Sequence, residues 1–205
     1  MKKLLLLFLW LSISAYAKAQ IGLNLAYTKP SGDFGYLFKP AQAYGLVFYS
    51  STLDERFQLS YGLSFANYKA RRDTFFAYGI QGGGSGTKYL PAYEVWNSYY
   101  IISARAQGDY LILDKDFTPT IGLGLLFNTA VYNRDSELKT VINQSEINND
   151  LFIGYLVKAG LLYRINDTYQ IKLNGGRVRS RSFITGVNQS YYNMELEFTI
   201  DFQEL

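Results

Sequence analysis

Residues 192–202 read Tyr-Asn-Met-Glu-Leu-Glu-Phe-Thr-Ile-Asp-Phe. Tyr192, Met194, Leu196, Phe198, Ile200 and Phe202 alternate with Asn193, Glu195, Glu197, Thr199 and Asp201. A strand sends successive side chains to opposite faces, so this alternation gives one apolar and one polar face; a helix would mix the two sets. Working outward, Phe57, Leu59, Tyr61, Leu63 and Phe65 repeat the pattern against small or polar neighbours, as do Ile121, Leu123, Leu125 and Phe127, with Leu126 as the exception. Weaker versions occupy 21–27, 44–49, 96–112, 151–163 and 169–175, and the chain reads as eight strands.

The connections alternate in length. Short stretches rich in Asp, Asn, Ser and Thr at 51–56, 113–116 and 165–168 read as turns, with longer loops at roughly 29–41, 69–95, 133–150 and 178–190 between them. Short turns on one rim and long loops on the other predict an all-β fold: an eight-stranded antiparallel up-and-down transmembrane β-barrel with both termini periplasmic. No linker, charge run or internal repeat divides the chain.

Two further features bear on location and chemistry. Lys2 and Lys3, the apolar run Leu4–Ile13 and the small residues of Ala15-Tyr16-Ala17-Lys18-Ala19 read as a signal peptide over 1–19, with cleavage after Ala19 preferred to cleavage after Ala17, and a barrel domain over 20–205. Beyond the leader no apolar stretch is long enough for a spanning helix, so a membrane reading requires a barrel. The net charge of +3 comes from Lys2, Lys3 and Lys18, and the remainder is neutral, which gives no encouragement to nucleic-acid binding. With no cysteine and no histidine, disulfides, thiol nucleophiles, Cys/His zinc sites and imidazole bases are excluded. No cofactor or metal is implied.

Volume assigns the faces. Some 40 large apolar side chains, on the order of five per strand, cannot fit inside an eight-stranded barrel, so they face outward and the Gly, Ser, Thr, Asn, Gln and Ala faces line a tight polar lumen. Aromatic residues gather toward both strand ends, with Tyr27, Tyr44, Trp96, Tyr100, Tyr155, Tyr191 and Tyr192 toward the loop rim and Phe57, Tyr110, Phe117, Tyr163, Tyr169 and Phe202 toward the turn rim. Two such girdles match the two interfaces of a bilayer.

On these features the chain resembles the small eight-stranded outer-membrane proteins of Gram-negative bacteria, the OmpA/OmpX-like barrel class. The resemblance implies that the last strand, with Tyr192, Leu196, Phe198, Ile200 and Phe202, is read by the barrel assembly machinery during insertion. That pattern usually ends in an aromatic residue, whereas here Phe202 is followed by Gln203, Glu204 and Leu205.

Parity places Arg105, Asp109, Lys158, Lys172, Glu195, Glu197 and Asp201 in the lumen, where charges must be paired to persist. The last hairpin in register sets Lys172 near Glu197, within about two residues. A structural plug is the favoured reading; a gated ion path and proton chemistry at the carboxylates are the alternatives. Near the loop rim, Arg71, Arg72, Arg177, Arg179 and Arg181 are candidate contacts to lipopolysaccharide phosphates, Arg177 first because parity aims it outward. The glycine-rich run 81–88 lacks the order of a phosphate-binding loop and reads as flexible loop. Three functions follow in order: a noncatalytic surface barrel whose loops contact outer-membrane lipid, lipopolysaccharide or an envelope protein partner; a narrow, porin-like channel; and a histidine-free lipid- or peptide-modifying enzyme.

Overall fold

The computed structural model describes residues 20–50, 56–71, 74–83, 86–113, 115–136, 149–183 and 188–201; side chains are described except over 74–98 and 133–136. The strands are β1 (Gln20–Ser31), β2 (Ala41–Tyr49), β3 (Phe57–Tyr68), β4 (Thr74–Gly83), β5 (Gly86–Leu111), β6 (Phe117–Ser136), β7 (Asn149–Arg164), β8 (Tyr169–Ser182) and β9 (Asn188–Asp201), with one short helix, α1 (Gly32–Leu37). Every pairing is antiparallel. The sheet closes because β3 pairs with β5, from Phe57 opposite Tyr110 to Tyr68 opposite Tyr99, leaving β4 outside a barrel of eight strands.

The ninth strand corrects the loop reading of 69–95. Above Tyr99 the partner of β5 changes from β3 to β4, beginning with Thr74 opposite Val95. At the same height the register between β5 and β6 slips around Asn97, and such a bulge bends the strand where its neighbour changes. Residues 81–88 therefore form the top of a β-hairpin, with only 84–85 outside the described residues, instead of a flexible loop. The glycines obscured the β-prone residues Thr74, Phe75, Phe76, Tyr78 and Ile80 before them. Strands β1, β6, β7, β8 and β9 likewise run further into the predicted loops than their alternation suggested.

Burial follows parity. On β9, Tyr192, Met194, Leu196 and Phe198 are exposed while Asn193, Glu195, Glu197 and Thr199 are buried. Exposed apolar residues occur on all eight barrel strands, including Leu25, Leu46, Leu63, Ile102, Leu123, Tyr155, Leu173 and Leu196. Tyr191 is a correction to the girdle: it points into the barrel and is buried, since its parity is opposite to that of Tyr192. Side chains of Trp96 and Phe202 lie outside the described residues.

The lumen is not polar throughout, a second correction, although its loop-side half keeps the buried polar residues Thr28, Asn128, Asp150, Ser180, Ser182 and Gln189. Toward the loop rim it is filled by Tyr68, Tyr99, Ile101, Leu126, Phe152, Leu156, Val178 and Tyr191, all buried. Helix α1 supplies the stopper. The chain leaves β1 through Gly32, whose φ of 58° suits glycine, and drops Phe34 and Phe38 into the mouth. Their rings lie 5.1 Å from Tyr68 and 4.5 Å from Tyr99, respectively, between centroids. The Arg71 N–H donates to the Leu37 carbonyl at 2.8 Å, and Arg71 Nε donates to the carbonyls of Gly35 at 2.6 Å and Phe38 at 3.1 Å. The segment after β3 thus straps α1 in place. Phe38→Ala should cost about 3–5 kcal/mol, the usual loss for a buried phenyl ring, read by denaturant titration of the refolded barrel; a loss below about 1 kcal/mol would show that the stopper is not packed as described.

Candidate functional site: the lumen charge network and the outer arginines

Four strands deliver the inward charges. Arg105 and Asp109 come from β5, Lys158 from β7, Lys172 from β8, and Glu195 and Glu197 from β9. Arg105 bridges the two glutamates: Nη1 lies 2.7 Å from Glu195 Oε1 and Nη2 lies 3.1 Å from Glu197 Oε1. Asp109 is shared by both lysines, with Lys158 Nζ at 3.3 Å and Lys172 Nζ in direct contact. These ion pairs are almost wholly withdrawn from solvent, so each charge depends on its partner.

Lys172 and Glu197 are indeed direct partners in the β8–β9 register, yet the Lys172 ammonium donates to Asp109 across the lumen. Its cross-strand neighbour Glu197 instead accepts from Arg105, from Asn24 Nδ2 at 3.1 Å and from the Tyr49 hydroxyl. The pairing expected from register is therefore corrected by reach: a long lysine stem crosses a narrow barrel as readily as it meets an adjacent strand. Asp201 sits partly buried at the turn-side mouth and accepts from Gln20 Nε2 at 2.7 Å.

Small residues make room for these stems. A Cβ at Gly122 would stand 2.0 Å from Asp109 Oδ1 and 2.9 Å from Lys158 Cε, and one at Gly62 would stand 2.6 Å from Arg105 Nε. Asn24 and Tyr49 are network members that the sequence reading did not single out. The available signal was parity, since Tyr49 is out of phase with the outward Tyr44 and Leu46, and the Lys172 ammonium lies 5.4 Å from its ring centroid.

The outward arginines separate into two sets. Arg71 is engaged with α1, and Arg72 lies outside the described residues. Arg177, Arg179 and Arg181 all lie on β8 with exposed outward side chains, and Arg177 stacks over Tyr192 at 5.2 Å. Among the described residues no group of three or more acidic side chains is placed to hold a metal ion. No described helix is long and apolar enough to cross a membrane, which says nothing of crossing by strands.

The network makes a quantitative demand. Asp109→Leu leaves two buried ammonium groups without their shared carboxylate and should cost about 3–5 kcal/mol. In double-mutant cycles on the refolded barrel, the coupling of Lys172 to Asp109 should exceed that of Lys172 to Glu197. The opposite order would refute the geometry described.

No protein-family model matches the sequence, and no curated protein matches it. Solved structures do share its fold. Neisserial surface protein A (NspA) is similar at a TM-score of 0.60 and 13% identity, covering 90% of this chain and 97% of that one. Ail of Yersinia pestis, solved with the heparin analogue sucrose octasulfate, gives 0.46 and 13%, covering 89% and 98%. The N-terminal β-barrel domain of Pseudomonas aeruginosa OprF gives 0.45 and 12%, covering 88% and 97%. At such identities the likeness is one of fold, and the NspA superposition carries it. The chain is a closed, antiparallel, up-and-down barrel of eight strands, with the architecture of the small OmpA/OmpX-like outer-membrane barrels.

Proposed function

We propose that this protein is a noncatalytic barrel of the outer membrane, closed along its axis and acting through its outer face and loops as a surface interaction protein or a subunit of an envelope complex. The observation that carries this reading is the pairing of a greasy exterior with a filled interior. Leu123 is 64% exposed, Leu23 60% and Met194 58%, in a belt that runs round every barrel strand. Soluble monomers rarely expose apolar patches beyond a few hundred Å². A closed barrel can lie in lipid because each backbone group in the wall bonds to a neighbouring strand.

Inside, the ion pairs occupy the turn-side half and the aromatic stopper occupies the loop-side half. Among the described residues that packing leaves an interior cavity of about 30 Å³ between Arg105, Tyr68 and Tyr191, room for no more than a few waters. The reading includes export by the 1–19 leader, insertion by the assembly machinery acting on β9, and both termini on the periplasmic side, where Gln20 and Asp201 meet at the turn rim.

Two measurements test it. Leu196→Arg, on the outward face, should destabilise the barrel in vesicles by about 2–4 kcal/mol if that position lies near the bilayer midplane. Thr199→Ser, which keeps the hydroxyl and removes one methyl from the buried inward face, should cost no more than about 1 kcal/mol. In planar bilayers the wild type should be silent; resolved openings whose selectivity changes on neutralising Arg105, Glu195 or Glu197 would replace this reading with a channel. Recovery of the wild type in an osmotic-shock fraction, without heat-modifiable migration on gels, would remove the membrane reading altogether.

A further inference from the structure

Arg177, Arg179 and Arg181 occupy alternate positions of β8, so their side chains leave one face of one strand about 7 Å apart. Three like charges at that spacing repel one another. Among the described residues none of the three has an ion-pair partner, whereas the inward cations Arg105, Lys158 and Lys172 all do. The arginines line an open groove of about 670 Å³ on the outer wall, with Tyr155 and Tyr192 beside them and Asp33 as the one acidic residue on its border. The groove therefore carries an excess of positive charge that suits an anion.

Height identifies where that anion would come from. Arg177 lies eight residues above Tyr169, the turn-side start of β8, and Arg181 lies twelve above it. With about 3.3 Å per residue and strands tilted about 40°, these positions stand roughly 20 and 30 Å above the turn rim, astride the top of an apolar band about 25 Å tall. A row of guanidinium groups there would meet the head groups of the outer leaflet, and arginine's planar fork matches a phosphate with two parallel donors. The tyrosines extend the same surface, since their rings suit the boundary between tails and head groups.

We infer that Arg177, Arg179 and Arg181 form a phosphate-binding ladder on the outer wall of the barrel, and that its ligand is a phosphorylated glycolipid of the outer leaflet. The inference rests on the membrane reading above, because the height of the ladder has meaning only in a bilayer. It gives that reading a partner: ordered anionic lipid held against β8.

The test uses the full-length refolded barrel in maltoside micelles, with each variant confirmed as folded by heat-modifiable migration. Native mass spectrometry counts retained lipid when the probe is diphosphoryl lipid A, its dephosphorylated form, or inorganic phosphate added as competitor. Wild type should retain diphosphoryl lipid A at least tenfold better than the dephosphorylated form. The triple change Arg177→Gln, Arg179→Gln, Arg181→Gln should lose at least tenfold, while the corresponding triple change to Lys should fall between the two. Equal retention by wild type and the glutamine variant, or indifference to the phosphates, would overturn the ladder. Displacement by inorganic phosphate at equal concentration would overturn the lipid assignment in favour of a soluble phosphate. A barrel that is heat-modifiable and silent in bilayers yet fails these tests loses only the ladder, whereas failure to insert into vesicles removes the membrane reading beneath it.

Discussion

The pairing of β3 with β5 is the constraint on which the rest of the molecule depends. Without it the sheet would end in two long edges, each a row of unpaired N–H and C=O groups open to pairing with another chain. Closure on eight strands also sets the width of the interior. That width explains why glycine at 62 and 122 faces long charged stems, and why Lys172 can reach Asp109. It also excludes β4. Once β3 has ended at Tyr68, the free edge of β5 can be satisfied only by a new partner, and the chain supplies one by turning back on itself as the β4–β5 hairpin.

Two different materials seal the interior. In the turn-side half, three cations, Arg105, Lys158 and Lys172, meet three carboxylates, Asp109, Glu195 and Glu197, so the interior carries no net charge from this group. Such pairs contribute little net stability against an apolar replacement, but removal of any member is costly, and this makes the arrangement specific. In the loop-side half, aromatic and aliphatic side chains pack around Phe34 and Phe38. The β4–β5 hairpin and the arginines of β8 lie outside this packed interior, where the proposed interaction surface is placed.

Much of this is legible in the residues alone. The alternation in 192–202 and its repeats determined that the chain is all-β, how many strands make the wall, which side chains face inward, and even the β8–β9 register that sets Lys172 opposite Glu197. These are local properties: a strand's two faces follow from its own backbone geometry, and a hairpin register follows from a short turn. Arg105, Asp109, Lys158, Lys172, Glu195 and Glu197 could be named together for that reason alone.

Which carboxylate each cation meets was decided only by the tertiary structure. Lys172 and Asp109 are 63 residues apart on separate walls, and their contact depends on the tilt and stagger of the closed barrel, which no single strand encodes. The stopper was hidden for the same reason: Phe34 and Phe38 lie in a segment without period two, and their burial depends on a mouth assembled by β3, β5 and the residues around Arg71. The faces and the eight wall strands are local features, because alternation is written into each of those segments. Partners across the lumen and the aromatic stopper were decided by closure, because closure brings together residues whose separation along the chain carries no local signal; the hairpin beyond the wall is local, and its glycines masked it.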